Sequence, residues 1–568
     1  MVKQPPIGID NFARLVDSTR NYCFVDKTLM IKEFIDSPEL VSLILRPRRW
    51  GKTLNMSMVQ HFFAPTVEGE VTKGLFDSLK IAQVDNGKYL QHQGKHPVIF
   101  LTFKDAKKET FEDFIAQTRE LIEDICSQYP ELSDSSALSK SDRCYFDRLA
   151  SKTSTEAELS NALLKLSKFL KAHYKAQVFI LIDEYDTPLN FAYHKNYFDI
   201  LVNFLKGMFG AALKGNNALE KGIITGILRL SKNSMISDLN NLTVYSLLNQ
   251  EYSHSFGFSE QEVSELFQAA SVPVDMQMVQ KWYNGYVSGG LVETYNPWSI
   301  LNCIKNKGAL QPYWVQTGDF ELLKTILTRT TLQNEINTLM TGGVIESAIY
   351  EHFSFDQIET GEETLVWGLL WAWGYLKIVE NTGNTIFQLK IPNYEILDTY
   401  QNIFIRLIRT ADTKSYDSLL ASLVSGKVEV FLKGLEDFLL RHCSYFDLTQ
   451  EKDYHILLLA WTCSLQSTHQ VQSNRETGTG RSDLILTPRQ PNKDWGIILE
   501  FKHAVPGKDT AFYEGLAKEG LEQVNAKQYD AELKRNPQIK NILKLSLAFY
   551  GKQVAAQYSI EPVPTLSS

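Results

Sequence analysis

VSLILRPRRWGKTLNMSMVQHFF, residues 41–63, is the stretch on which the fold turns. It opens with a short, largely apolar run, the composition of a strand covered on both faces. A proline- and arginine-rich loop follows, then Gly51, Lys52 and Thr53, then a helical pattern. A strand, a loop and a helix in that order aim backbone N–H groups and a helix N-terminus at an anion. A lysine there meets the terminal phosphates of a nucleotide, and a hydroxyl beside it meets a magnesium ion. Gly51, Lys52 and Thr53 fit those three tasks, and Arg48, Arg49 and Trp50 supply the rest of the nucleotide-facing loop. The usual pattern is GxxxxGK[ST]; Arg46 stands where its first glycine would be.

Moving outward, four further apolar runs have strand character: PVIFLTF (97–103), VFILID (178–183), GIITGIL (222–228) and TVYSLL (243–248). Helical stretches around 107–127, 156–173 and 195–214 separate most of them, which predicts a five-stranded α/β core with helices on both faces. VFILIDEYD ends an interior strand in two consecutive carboxylates, and such an ending calls for a cation. Asp183 then holds Mg2+, with Thr53, while Glu184 orients or deprotonates the water that attacks a γ-phosphate. GIITGILRL extends a further strand to Thr225, a γ-phosphate sensor, and Arg229, a charge stabiliser.

After a core over 1–257, short helices and the aromatic loops WYNGY (282–286) and YNPWS (295–299) read as a helical lid over 258–330. Residues 331–447 are mainly helical, and ETLVWGLLWAWGYLKIVENTGNTIFQLKIP within them reads as a helix and a hairpin turning at Thr382, Gly383 and Asn384. That order fits a winged-helix-like segment or a plain helix packed on a hairpin. The last part, 448–568, alternates a helix near 450–466, strands at 469–474, DLILTP and WGIILEFKH, a helix at 511–531 and the strand KLSLAFY.

Within that last part, GRSDLILTPRQPNKDWGIILEFK (480–502) puts Asp483 on one strand and Glu500 and Lys502 on the next. Glu500 and Lys502 are two apart on an extended chain and share a face. Two carboxylates make a hard-oxygen site for Mg2+ or Mn2+, and a lysine beside them positions water and stabilises a phosphorane-like charge. Glu451 on the preceding helix is a further candidate metal ligand. Gln523, with Tyr529, lies on the following helix as a candidate for completing the site. Arg475, Arg481 and Lys493 add local positive charge for phosphate contact.

A formal net charge of -8 argues against binding nucleic acid through bulk positive charge, so any such contact is local. The six cysteines are scattered without a CxxC pair, which predicts reduced thiols rather than a zinc site. No apolar run approaches the roughly 18 residues of a membrane span. A cytoplasmic location with no membrane partner is therefore expected, and a homo-oligomer is compatible with it.

Taken together, FVDKT (24–28), RPRRWGKT, LIDEYDTPL, TGILRLSKNSMISDLNNL, YNGY, YNPWS and PYWVQTG (312–318) resemble the bacterial AAA-ATPase-like proteins that carry a C-terminal nuclease domain of the PD-(D/E)XK superfamily. DYHILLLAW, SNRETGTGRSDLIL, ILEFK and LEQVNAKQY are similar to that nuclease part. The resemblance implies a P-loop NTPase core with a restriction-endonuclease-like domain at the C-terminus. It assigns Walker A to Gly51, Lys52 and Thr53, Walker B to Asp183 and Glu184, and nuclease residues to Asp483, Glu500 and Lys502, with Glu451 and Gln523 beside them. Ser482 occupies the place of the proline in the superfamily's name. The expected activity is ATP hydrolysis coupled to Mg2+-dependent cleavage of nucleic acid, expected to be DNA. The alternative is a signalling or regulatory ATPase whose C-terminal domain binds nucleic acid without cleaving it.

Overall fold

The computed structural model describes every residue except Met1, 231–240, 291, 315–331, 341, 354–362, 384, 408–412, 443–453, 455–456, 459–460, 463–464, 466–467, 478–479, 490–492, 505–506 and 564–568. Contacts divide the chain into two units, Met1–Gly318 with Glu346–Glu395, and Asp319–Ile345 with Ile396–Ser568. Among the described residues no helix is long and apolar enough to cross a membrane.

The first unit is built on a five-stranded sheet. Its strands are β1 (Val41–Leu45), β2 (Val98–Thr102), β3 (Val178–Asp183), β4 (Leu219–Gly226) and β5 (Leu242–Tyr245). The order is β2-β3-β4-β1-β5 and every pairing is parallel. All five residues of β1 and all six of β3 are buried, as interior parallel strands require. Helices α1 (Lys52–Phe63), α2 (Phe111–Ser127), α3 (Ala162–Tyr174) and α4 (Phe198–Leu213) provide the crossovers. Because the strands are parallel, their C-terminal ends share one edge, which is where open α/β sheets bind ligands.

One expectation needs correction here. β4 stops at Gly226 instead of running on to Arg229. Gly226 lies against the Tyr185 ring and the Asp186 carboxylate, so even a Cβ has no room. The Asp186 carboxylate accepts the Ile227 and Leu228 N–H groups at 2.9 and 3.0 Å and turns the chain off the sheet. Arg229 therefore sits in a separate two-residue strand paired with His352 and Phe353.

After this sheet, α5 (Glu260–Ala269), α6 (Met276–Tyr283) and α7 (Pro297–Lys305) pack around a separate core of Val263, Leu266, Tyr283, Tyr295 and Ile300. Cys23 of the N-terminal segment belongs to that core and Val25 packs against it. Helix α8 (Glu363–Ala372) leads into an antiparallel hairpin, β6 (Lys377–Gly383) and β7 (Ile386–Lys390). These three elements belong to the first unit.

The second unit carries a mixed sheet of β8 (His469–Thr477), β9 (Gly480–Pro488), β10 (Trp495–His503), β11 (Asn541–Tyr550) and β12 (Gln553–Pro562), in that order. Only the β10–β11 pairing is parallel, and α9 (Thr510–Ala526) makes that crossover. The strand β12 was not expected from the sequence. Its partner β11 is buried along eight consecutive residues, whereas half of β12 is exposed.

Candidate active sites

At the C-terminal edge of the first sheet, β1 runs into the 46–53 loop and α1 begins at Lys52. Gly51 caps that helix at φ 82°, a left-handed conformation that favours glycine. Arg46 explains the missing first glycine of the common pattern. It is buried and does structural work, with its guanidinium donating to the carbonyls of Leu45, Tyr245 and Tyr252 at 2.8, 3.1 and 3.2 Å. Burial lowers its pKa to about 10. Lys52 is also buried, and its Nζ donates to the carbonyls of Arg46 and Pro47 at 3.0 and 2.9 Å. Burial pulls its pKa down. Such an ammonium, held only by neutral carbonyls, is poised to gain from an arriving phosphate.

Opposite it, the Asp183 carboxylate collects hydroxyls from three elements. Thr53 Oγ1 donates at 2.7 Å, Thr225 Oγ1 at 2.5 Å and Thr102 Oγ1 at 3.3 Å. The registers Thr102↔Asp183 and Ile182↔Ile224 bring β2 and β4 alongside it. Asp183 and Asp186 are both fully buried, and burial raises both carboxyls. Glu184 follows at φ 53°, rare for a side chain that is not glycine and a form of strain found at functional sites. Its carboxylate accepts from Thr187 Oγ1 at 3.2 Å, and its N–H donates to Thr225 Oγ1 at 3.4 Å. Thr225 is thus buried between the two acidic residues. A hydroxyl and a carboxylate in contact are the donors that Mg2+ uses, so Thr53 and Asp183 fit that ion.

A cavity of about 440 Å3 opens over this edge, lined by Gly51, Lys52, Thr53 and Glu184 and by Phe258 and Trp298. Arg49 is exposed at φ 65°, with its guanidinium 4.3 Å from the centre of the Trp298 ring. Trp50 is buried edge-on against Tyr286 at 5.1 Å, so its bulk anchors the loop there. The Arg48 carbonyl accepts the Trp314 indole N–H at 3.1 Å. Trp314 in turn donates its backbone N–H to the buried carboxylate of Glu395 at 2.7 Å, which also accepts from Ser299 Oγ at 2.7 Å and Tyr313 N at 2.6 Å. Thr102, Asp186, Trp298 and Trp314 carry no role in the sequence reading. Thr102 had a signal, namely a polar group at the end of a buried strand, whereas Asp186 lies past the end of β3.

In the second unit, β9 and β10 pair antiparallel with Leu484 opposite Leu499. Asp483 and Glu500 are the next residues on the two strands, just past the paired positions. Asp483 Oδ2 accepts the Phe501 N–H at 2.7 Å, and burial raises this carboxyl. Glu500 is buried; its Oε1 accepts from Gln523 Nε2 at 2.6 Å and Lys502 Nζ at 3.3 Å. Lys502 Nζ also donates to Gln523 Oε1 at 2.9 Å, and Gln523 Nε2 donates to the buried Tyr529 hydroxyl at 3.3 Å. Helix α9 comes this close because Gly520 faces Ser546 and the Glu500 side chain without a Cβ. Asp483, Glu500, Lys502 and Gln523 are therefore assembled across two strands and a helix. Two carboxylates on adjacent strands fit Mg2+, which commonly takes one or two and completes its shell with water and phosphate. Glu451 lies outside the described residues, as do the side chains of Arg475 and Arg481.

A glycine–lysine–threonine loop at the edge of a parallel sheet, facing a buried aspartate, defines the P-loop nucleotide-binding class. Family models narrow this: residues 6–236 match the model of the predicted AAA-ATPase family, named AAA-ATPase-like, and residues 449–558 match that of the PD-(D/E)XK nuclease superfamily. A relative from Azotobacter chroococcum mcd 1, described as an uncharacterized protein in the vnfD 5′ region, is 25% identical over 399 residues, covering 69% of this chain and 68% of its own.

Proposed function

We propose that the chain hydrolyses ATP at the first site and uses the second to cleave phosphodiester bonds in DNA. The observation that carries this reading is that each unit brings a lysine and buried carboxylates to one place on a sheet, with hydroxyl or amide partners holding them in position. When bound, a divalent ion, Mg2+ at the first site and Mg2+ or Mn2+ at the second, neutralises charge developing on phosphate oxygens. Lys52 meets the terminal phosphates, Glu184 takes the proton of the attacking water, and Thr225 fixes the orientation of Asp183. In the second unit Gln523 positions Lys502 and Glu500, and Lys502 faces the scissile phosphate. Arg229 lies off the core sheet and is not assigned a role in this scheme.

Control of the second site by the first is part of the proposal. The nucleotide loop is tied to Trp298 through Arg49 and to Trp314 through the Arg48 carbonyl, and Glu395 joins Trp314 to α7. The chain leaves the first unit after Gly318 and after Glu395, close in sequence to these ties.

A second reading is that the C-terminal domain binds nucleic acid without cleaving it. The test is to incubate the full chain with plasmid, linear and single-stranded DNA and with RNA, in Mg2+ or Mn2+, with and without ATP. Cleavage of DNA that responds to ATP supports the proposal. Retention of DNA without cleavage supports the second reading, and ATP turnover unchanged by Lys52→Ala removes the first site's role.

A further inference from the structure

The N–H of Phe103, just past β2, donates to the Asp183 carbonyl at 3.0 Å, continuing the register in which Thr102 lies opposite Asp183. The next residue, Lys104, therefore leaves the sheet next to where Glu184 leaves β3. Its backbone N–H donates to Thr102 Oγ1 at 3.3 Å, fixing this exit. Lys104 lines the nucleotide cavity together with Lys52, Thr53 and Glu184. It also lines a second cavity of about 450 Å3, again with Thr53. Lys104 thus borders both cavities on the Thr53 side of the loop.

Of the other cations near this edge, Arg46 is held on three carbonyls, Lys52 on two carbonyls of its own loop and Arg49 over the Trp298 ring, while Lys27, Arg48 and Lys107 also line the cavity. Lys104 instead pairs with Asp10 at 3.1 Å, and both side chains are about half exposed. The hydrogen bond to Asp10, with the charges of Asp10, Asp105 and Glu184, holds its ammonium above the usual lysine range. An exposed pair of this kind is weak, so a phosphate oxygen competes with Asp10 easily.

We infer that Lys104 is a catalytic residue of the first site, exchanging Asp10 for the γ-phosphate of bound ATP, with Asp10 holding it aside while the site is empty. This rests on the ATP-hydrolysing reading above. In the step it serves, the water oxygen bonds to the γ-phosphorus as the bond to the β–γ bridging oxygen breaks. The water's proton goes to Glu184, ADP leaves with the bond electrons, and Lys104 stays protonated throughout. Such a lysine acts only where the third phosphate is present.

The test measures affinity of the full chain for a non-hydrolysable ATP analogue and for ADP, with turnover, in wild type and in Lys104→Ala, Lys104→Arg, Asp10→Asn and Lys52→Ala. Lys104→Ala is expected to weaken the ATP analogue about tenfold, leave ADP within about twofold, and lower kcat about 100-fold, as loss of one charge-stabilising donor does. Lys104→Arg should restore much of both, and Asp10→Asn should tighten the ATP analogue without changing ADP. Equal weakening of both nucleotides by Lys104→Ala, or no change in either with kcat intact, overturns the inference while leaving the ATP site standing. A wild type that binds neither nucleotide, or binding untouched by Lys52→Ala, overturns the underlying reading and the inference together.

Discussion

The two candidate sites solve one problem, keeping carboxylates ready beside a lysine, in opposite ways. In the first unit Asp183 sits at a strand end, fully buried, with three threonine hydroxyls from α1, β2 and β4 directed at it. In the second unit Asp483 and Glu500 lie on adjacent strands just past the paired Leu484 and Leu499, and a single glutamine spans Glu500, Lys502 and Tyr529. The first arrangement follows from topology, because parallel strands deliver their ends to one edge whatever their exact alignment. The second follows from register, because slipping β9 by one residue turns Asp483 to the other face. Tolerance of change should differ accordingly.

The largest contrast is expected between two single substitutions. Glu184→Gln should lower ATP turnover by about 10²–10⁴-fold, the usual contribution of a general base, with nucleotide binding retained. Lys502→Ala should lower cleavage by about 10²–10³-fold with ATP turnover unchanged. Parallel assays of phosphate release and DNA nicking read both. If Lys502→Ala reduces phosphate release as strongly as nicking, the sites are not separable and the contrast fails.

Gln523→Ala sharpens the second half of the comparison. A side chain that orients ligands typically contributes about 10–100-fold, so cleavage should fall by that amount, less than for Lys502→Ala. Full activity in the alanine variant would show that the glutamine bridge does not position the site.

Packing provides the next test. Gly520→Val sets a branched side chain against Ser546 and Glu500, where even a Cβ is too close. Such overpacking costs about 1–3 kcal/mol, measurable by urea denaturation. A neutral result would mean that α9 is free to move off the sheet.

The smallest effect concerns the first site and pH. Burial raises the Asp183 carboxyl above its usual 3.8. A group with a raised folded pKa contributes its stability below the unfolded pKa and loses it as pH rises through the folded one. Without nucleotide, Asp183→Asn should therefore melt higher than wild type at pH 7, by roughly 2–4 °C per kcal/mol relieved, and the gain should shrink toward pH 4. A variant that melts lower at pH 7 would show that the threonine hydroxyls and Lys52 outweigh burial.

The same contrast explains what was legible in the sequence. All five strands of the first sheet read as largely apolar runs, and Gly51, Lys52, Thr53, Asp183 and Glu184 stand at their ends, where motif and burial coincide. The pairing of Lys104 with Asp10, 94 residues away, is not visible, because strand order is a property of the fold. Nor is the role of Arg46, whose carbonyl partners come from residues as far away as Tyr252. In the second unit the face shared by Glu500 and Lys502 is plain from their spacing, but the bond that ties Asp483 to the Phe501 N–H beside them depends on strand pairing. The strand β12 escaped notice because QVAAQYSIEP mixes small and polar residues, as an edge strand with one exposed face does.

The most direct measurement is nicking of supercoiled DNA by the full chain in Mg2+ or Mn2+ with ATP, wild type beside Asp483→Ala. Wild-type cleavage that disappears in the variant, while the variant's phosphate release matches wild type, is the expected result. Cleavage that persists in Asp483→Ala, or is absent from wild type under every ion and nucleotide, would contradict it.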